Sequence, residues 1–204
     1  MYEVMYVQTN TFPLVFSGIC IAVNLVLGTI VQTLKIPLLF LDTLGTILGA
    51  VMFGPFWGGA IGLITNIIQG ILTNPKNIPF AVVNLAIGII VGYIARRYTF
   101  TWKTALLTGL LVSVVAPLIG TPIAIWVYGG LTGGGTDLLF LWLLKSGQKI
   151  FTAAFIPRIT GNIVDKVACA LLVASLVRYF PANILGKATN PLLRTARTNH
   201  APSK

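Results

Sequence analysis

Charged residues are scarce in this sequence, which has 4 acidic and 14 basic residues among 204 and is 56% hydrophobic. Its mean hydropathy of +0.90 is too high for a soluble domain. No charged residue occurs between Thr43 and Pro75, although about 20 apolar residues are enough for a helix to cross a hydrocarbon core of about 30 Å. We therefore predict an integral membrane protein.

Histidine and cysteine are nearly absent as well. His200 is the single histidine, and Cys20 and Cys169 both fall within apolar segments. These residues are too few for a disulfide framework, a Cys/His metal site or a histidine-based catalytic group. The sequence also lacks the Gly-x-x-x-x-Gly-Lys-[Ser/Thr] phosphate loop, so it cannot hydrolyse ATP by that machinery. We expect no cofactor and no enzymatic activity, which leaves a binding or transport role.

The basic residues concentrate in two places, which predicts the orientation of the chain. Residues 1–11 contain no lysine or arginine and no cleavage site, so we expect the first apolar segment to be retained. Eight basic residues lie in the stretch 96–103 and in the tail from 178 onward, against four in the connections expected outside. The positive-inside rule then places both termini in the cytoplasm, next to anionic lipid and not nucleic acid.

Hydrophobic segments predict an all-α fold. We expect a six-helix membrane domain over residues 1–180 and a basic cytoplasmic tail over 181–204. The predicted spans are 12–34, 36–53, 55–72, 79–95, 104–128 and 150–179. The connection LTNPKNIPF is typical of an ordered turn. The stretch DLLFLWLLKSG is too short to span, so it is predicted to lie at the interface or to fold back over the bundle.

The sixth segment carries ionisable residues at membrane depth. Arg158, Asn162 and Asp165 share one helical face, and Lys166 sits beside it. Charges in lipid are costly and normally face a bundle interior or a watery cavity. One interpretation is a polar pocket that includes Arg158 and Asn162 together with nearby Lys149. The other is that each charge pairs with another helix, for instance Arg158 with Asp42.

Small and amide residues alternate on the third and fourth segments. Asn66 follows Gly62 by four residues, Gln69 lies nearby, and Asn84 precedes Gly88 by four. Small residues at this spacing allow helix backbones to approach closely, and a buried amide then bonds to the next helix. Packing and ligand contact are both open interpretations. Asp42 and Trp126 also have two interpretations each. Asp42 forms a buried ion pair or contacts the ligand, and Trp126 is an interfacial anchor or stacks on the ligand.

Several of these features together resemble the substrate-binding S component of energy-coupling factor (ECF) transporters. The resemblance covers residues 12–180 and rests on LKIPLLFLDTLGTILGA, on FGPFWGGAIGLITNIIQG and on a small-x-x-x-small step at Gly18 and Ala22 in the first helix. It implies a multi-pass protein of a prokaryotic plasma membrane that binds a water-soluble vitamin. The partners it implies are a transmembrane coupling protein and two ATPase subunits.

The resemblance also implies a site and an interface. In this family the substrate lies beneath the first, third and fifth loops, and the S component is thought to topple to release it. The family's Ala-x-x-x-Ala contact with the coupling protein would fall on Gly18 and Ala22, where the glycine departs from the pattern but stays small. We expect the substrate to be contacted by Asp42, Asn66, Gln69, Asn84, Trp126, Lys149, Arg158 and Asn162.

The cargo and two alternatives stay open at this point. Acids, amides, bases and aromatics together suit a small polar heterocycle such as a vitamin B6 vitamer. Cobalamin is the main competitor, because the glycine-rich fifth loop has room to open for a bulky ligand. The alternatives are an ion-coupled secondary transporter, using Asp42 or Asp165, and a structural membrane subunit.

Overall fold

The described part of the chain is helical throughout. The computed structural model describes residues 11–34, 36, 38–132 and 137–196, and no strand occurs within these ranges. The elements are α1 (Phe12–Leu34), α2 (Leu44–Phe53), α3 (Pro55–Leu72), a 3-10 turn (Pro75–Phe80), α4 (Ala81–Arg97), α5 (Trp102–Tyr128), α6 (Asp137–Lys145), α7 (Ile150–Tyr179), α8 (Ala182–Leu185) and α9 (Pro191–Ala196). The turn predicted in LTNPKNIPF is observed as the 3-10 turn. Asn74 precedes it, and the Asn74 side chain caps its start by accepting a hydrogen bond from the Lys76 amide.

Five helical stretches in the described ranges are long and apolar enough to span a membrane. They are α1, α3, α5, α7 and the continuous stretch Pro75–Arg97. The second predicted helix, over 36–53, differs from the structure because α2 begins only at Leu44. Its 10 residues rise about 15 Å, half of the hydrocarbon thickness. The expectation of an all-helical membrane fold is confirmed, whereas six full-length spans are not.

Residues 38–43 replace the first half of the predicted second helix with irregular backbone. Leu38 and Leu41 have φ values of 64° and 50°, a region that non-glycine residues rarely occupy and that the surrounding structure must stabilise. The amides of Phe40 and Leu41 both donate to Asp165 Oδ1 on α7, each at 2.8 Å. Because these amides bond to a carboxylate and not to helix carbonyls, the chain turns here before α2 begins. Irregular backbone at membrane depth is tolerated when protein satisfies it in this way.

Helix α2 is inserted into the middle of the bundle. Eight of its 10 residues are buried. Asn24 of α1 accepts a hydrogen bond from the Gly45 amide at 2.6 Å, and its Nδ2 donates to Thr46 at 2.9 Å and Thr65 at 3.2 Å. One buried amide therefore joins α1, α2 and α3, and it satisfies an amide at the start of α2 that has no helical partner.

The small-residue spacing of the third and fourth segments produces close helix packing. A Cβ atom at Gly62 would overlap the carbonyl of Asn84, and one at Gly88 would overlap the backbone of Gly58. The backbones of α3 and α4 approach this closely only because both positions lack side chains. The packing interpretation of this pattern is confirmed.

The bundle has two distinct ends. At the loop end, α1, α3 and α5 finish and α7 begins, near the irregular segment 38–43 and the 3-10 turn. At the tail end, α2 turns into α3 and residues 182–193 fold back on the bundle. Asn190 is buried there, and its side chain donates to the carbonyls of Val51 and Ala95 at 2.8 and 3.0 Å. Its backbone N–H donates to the Met52 carbonyl. The first part of the predicted tail is therefore packed, and residues 197–204 lie outside the described ranges.

Candidate ligand-binding cavity

A cavity of about 260 Å³ lies at the loop end of the bundle. Its wall is formed by α1, the segment 38–43, α3, the 3-10 turn, α4, α5 and α7. Six residues predicted from the sequence line it: Asp42, Asn66, Gln69, Asn84, Arg158 and Asn162. Polar lining residues that the sequence did not single out as substrate contacts are Gln32, Thr43, Asn77, Tyr128, Thr132 and Lys166.

Two of the predicted site residues are not brought to this cavity. Trp126 is 82% exposed on the outer surface of α5, where an aromatic side chain faces lipid and not the bundle. Lys149 is exposed at the start of α7, at the position before the first helical residue. Sequence proximity to Arg158 suggested Lys149, but Lys149 precedes the helix and does not line the cavity, whereas Arg158 does.

An ion cluster forms the floor of the cavity. The Lys166 ammonium lies 2.6 Å from Asp165 Oδ2, 3.3 Å from Asp42 Oδ1 and 3.0 Å from the Thr43 hydroxyl. The Lys166 and Asp165 side chains are 4% and 0% exposed, whereas that of Asp42 is 29% exposed. Asp42 is thus paired with Lys166, and the alternative pair with Arg158 is wrong. Of the two acidic residues in this cluster, Asp42 lines the cavity and Asp165 does not.

The face of α7 that meets the cavity differs by one residue from the predicted face. Arg158, Asn162 and Lys166, spaced by four, line the cavity, whereas Asp165 lies behind it. Asp165 uses both carboxylate oxygens within the protein, one for the amides of the segment 38–43 and one for Lys166. Helical spacing predicted that Asp165 would share a face with Arg158. The structure instead places Lys166, the next residue along the helix, at the cavity.

Two buried amides face the cavity with unused hydrogen-bonding groups. Asn84 Nδ2 donates to Asn66 Oδ1 at 2.8 Å and to the Asp42 carbonyl at 3.3 Å. Asn66 Nδ2 and the whole Gln69 side-chain amide have no hydrogen-bond partner among the described residues, although these residues are only 6% and 8% exposed. Among the described residues that line the cavity, Asn84 Oδ1 is fully buried without a partner, and leaving such a group unpaired is costly. These amides are therefore positioned to bond to a polar molecule inside the cavity.

Arg158 connects α7 to the connection after α5. Its guanidinium donates to the Ala154 carbonyl at 2.8 Å and to the Gly130 carbonyl at 3.1 Å, which leaves three of its five N–H groups for other acceptors. The same connection is held by Phe140 of α6, whose ring contacts Gly130 and is buried against Ala153 of α7. Helix α6 therefore folds back onto α7 beside the cavity, and residues 133–136 lie outside the described ranges.

A tyrosine and an asparagine close the wall between α5 and the 3-10 turn. The Tyr128 hydroxyl donates to Asn77 Oδ1 at 2.8 Å, and its ring centroid lies 6.3 Å from that of Phe80. Sequence reasoning placed Asn77 in an ordered turn and Tyr128 at the end of a helix. It had no signal that these two residues, 51 positions apart, would meet.

Comparison with known proteins identifies one family. The family model described as ECF transporter, substrate-specific component, matches residues 13–177. No curated protein and no solved structure matches the chain. The matched range begins one residue into α1 and ends two residues before the end of α7, so it contains every element that lines the cavity.

Proposed function

This chain belongs to the substrate-specific components of ECF transporters, and we propose that its cavity binds a small water-soluble vitamin. Among these vitamins, a vitamin B6 vitamer is the expected cargo. Membership makes it a substrate-binding, multi-pass membrane subunit of such a transporter. The observation that carries the proposed cargo class is the set of free amide groups that face the cavity: Asn66 Nδ2 and the Gln69 side-chain amide have no partner among the described residues. A polar heterocycle supplies the donors and acceptors that these amides lack.

The size of the cavity favours a single heterocycle. Ligand pockets commonly enclose about 300–1,000 Å³, and this cavity, at about 260 Å³, falls just below that range. A pyridine-sized vitamer is compatible with this volume, whereas the corrin ring system of cobalamin is far larger. The lining also combines carboxylate, amide and guanidinium groups, as expected for a ligand with several polar substituents.

We assign the coupling interface to α1. Gly18 and Ala22 are exposed, and a Cβ atom at Gly18 would have no neighbour within 4 Å. A helix surface of small residues permits close approach of another membrane helix, which suits a transmembrane coupling protein. Two ATPase subunits would complete the importer, because this sequence has no phosphate loop of its own.

We assign the loop end to the outside of a prokaryotic plasma membrane and the tail end to the cytoplasm. Arg96, Arg97, Arg178 and Lys187 are all exposed at the tail end, in agreement with the positive-inside rule. A cavity at the loop end would then receive its substrate from the external medium.

Thermal unfolding of the purified chain tests the proposed function. The chain in mild detergent is heated with pyridoxine, pyridoxal, pyridoxamine, thiamine, riboflavin, biotin, pantothenate or cobalamin. One cargo is expected to stabilise it by about 2.7 kcal/mol at one hundred times its dissociation constant. Absence of stabilisation by every vitamin, with well-folded protein, would contradict the proposal. Uptake into liposomes that follows a proton or sodium gradient without any partner would favour a secondary transporter instead.

A further inference from the structure

Building on the proposed function, we propose that the cavity selects a dipolar ligand, whose protonated nitrogen binds Asp42 and whose anionic oxygen binds Arg158. Chemical candidates are small heterocycles that carry a basic ring nitrogen or amine together with an acidic hydroxyl or carboxylate. The inference concerns charge selectivity, which neither the family match nor the size of the cavity specifies.

The floor of the cavity has an uncompensated negative charge. Two carboxylates, Asp42 and Asp165, share the single ammonium of Lys166. Asp165 is fully engaged by protein groups, but Asp42 Oδ2 has no partner among the described residues and its side chain is 29% exposed. A charge in a low-dielectric site interacts strongly with an opposite charge. A ligand N–H⁺ group at Asp42 would therefore neutralise the cluster.

The other end of the cavity has the opposite charge. Within the described ranges, Arg158 has no ion pair, and its two hydrogen bonds go to uncharged carbonyls. A planar guanidinium binds oxyanions through paired N–H groups, so its remaining donors suit a phenolate or carboxylate. The carboxylate of Asp137 attracts this guanidinium electrostatically, and its Oδ1 also accepts hydrogen bonds from the Thr132 amide and hydroxyl.

Arg158 and the Lys166–Asp42 pair lie at different levels along α7. Arg158 and Lys166 are eight residues apart on α7, which corresponds to about 12 Å along the helix axis. Both residues line the cavity, and Asn162 lies between them on the helix. Across the cavity, the amides of Asn66 and Gln69 provide uncharged hydrogen-bonding groups. A purely anionic ligand would leave Asp42 Oδ2 without a partner, and a purely cationic ligand would leave the three remaining N–H groups of Arg158 without an acceptor.

Binding of matched ligands to the purified wild-type chain tests this selectivity first. Dissociation constants are measured by calorimetry for pyridoxine, for its benzene analogue without the ring nitrogen and for its analogue without the ring hydroxyl. The pyridinium and the ring oxyanion of pyridoxine depend on each other, because at neutral pH a phenol without the ring nitrogen and a pyridine without the hydroxyl are both largely uncharged. Each deletion therefore removes the dipolar form, and we expect each to weaken binding about tenfold to a hundredfold. Thiamine as a cation, biotin and pantothenate as anions and nicotinamide as a neutral ring should all bind more weakly than pyridoxine.

Two variants then locate each charge. Asp42→Asn should weaken the binding of pyridoxine but have little further effect on the binding of the benzene analogue. Arg158→Gln should likewise weaken the binding of pyridoxine but have little further effect on the binding of the analogue without the ring hydroxyl. Lys145→Gln, an exposed residue outside the cavity, is the control and should bind pyridoxine like wild type. The wild-type ligand series decides the question even if a variant fails to fold.

The outcomes separate this inference from the proposed function. Tight binding of a cationic, anionic or neutral vitamin in preference to pyridoxine would overturn the charge selectivity and leave the vitamin-binding function intact. Equal losses for pyridoxine and its benzene analogue in Asp42→Asn would also overturn it. A folded chain that binds none of these vitamins would overturn the proposed function and the inference together.

Discussion

Replacing Lys166 with methionine removes the ammonium that compensates two carboxylates inside the bundle. Lys166 lies 2.6 Å from Asp165 and 3.3 Å from Asp42, and its side chain is 4% exposed. Breaking a buried ion pair by removing one partner typically costs about 3–5 kcal/mol, because the remaining charge stays buried and unpaired. We expect Lys166→Met to lower the free energy of unfolding by about that amount.

A double replacement separates lost charge pairing from lost packing. In Lys166→Met/Asp165→Asn, the asparagine Oδ1 can still accept the Phe40 and Leu41 amides, so no unpaired charge remains at that position. The double variant is expected to recover stability relative to Lys166→Met alone, since neutral groups tolerate burial far better than an unpaired charge.

Reversible unfolding in mixed detergent micelles, followed by circular dichroism, measures both variants. Lys103→Met, at an exposed position, is the matched control and should change stability by no more than about 0.5 kcal/mol. If Lys166→Met is as stable as Lys103→Met, or if the double variant is less stable than the single one, the account of the ion cluster is incorrect.

Three further predictions concern packing, ligand contact and partner contact. Gly62→Ala should destabilise the chain by about 1–3 kcal/mol in the same unfolding assay, because the new methyl group overlaps the Asn84 carbonyl, whereas Gly18→Ala, with open space around it, should be neutral or slightly stabilising. Gln69→Leu should weaken vitamin binding about tenfold in calorimetry without loss of stability, since its amide has no partner among the described residues; a large loss of stability would show that the amide is structural. Ala22→Trp should reduce co-purification with a coupling protein while leaving vitamin binding unchanged, and unchanged co-purification would remove α1 from the interface.

The helical framework was predictable because its signals are local. Long apolar runs predicted α1, α3, α5 and α7 with nearly their observed bounds, and the small residues at Gly62 and Gly88 indicated close packing. Each signal depends on residues within one or two helical turns, where period and composition are informative. Six of the eight predicted substrate contacts line one cavity for a similar reason, since polar residues avoid lipid and collect inside the bundle.

The irregular segment 38–43 was not predictable because its cause is distant in sequence. Its apolar composition resembles that of a helix, and its actual conformation depends on the carboxylate of Asp165, 125 residues away. The pairing of Lys166 with Asp42 was not predictable for the same reason, because Asp42 lies in this segment and meets α7 only when the segment has folded. Tyr128 and Asn77 meet only through tertiary packing as well.

Retention of a vitamin by the purified chain tests whether this cavity is the substrate site. The chain is dialysed to equilibrium against a mixture of water-soluble vitamins, and the retained compounds are identified and counted by mass spectrometry. We expect one small vitamin to be retained in a one-to-one ratio and Gln69→Leu to retain much less of it. No retained vitamin, or equal retention by folded Gln69→Leu, would contradict the assignment of this cavity as the substrate site.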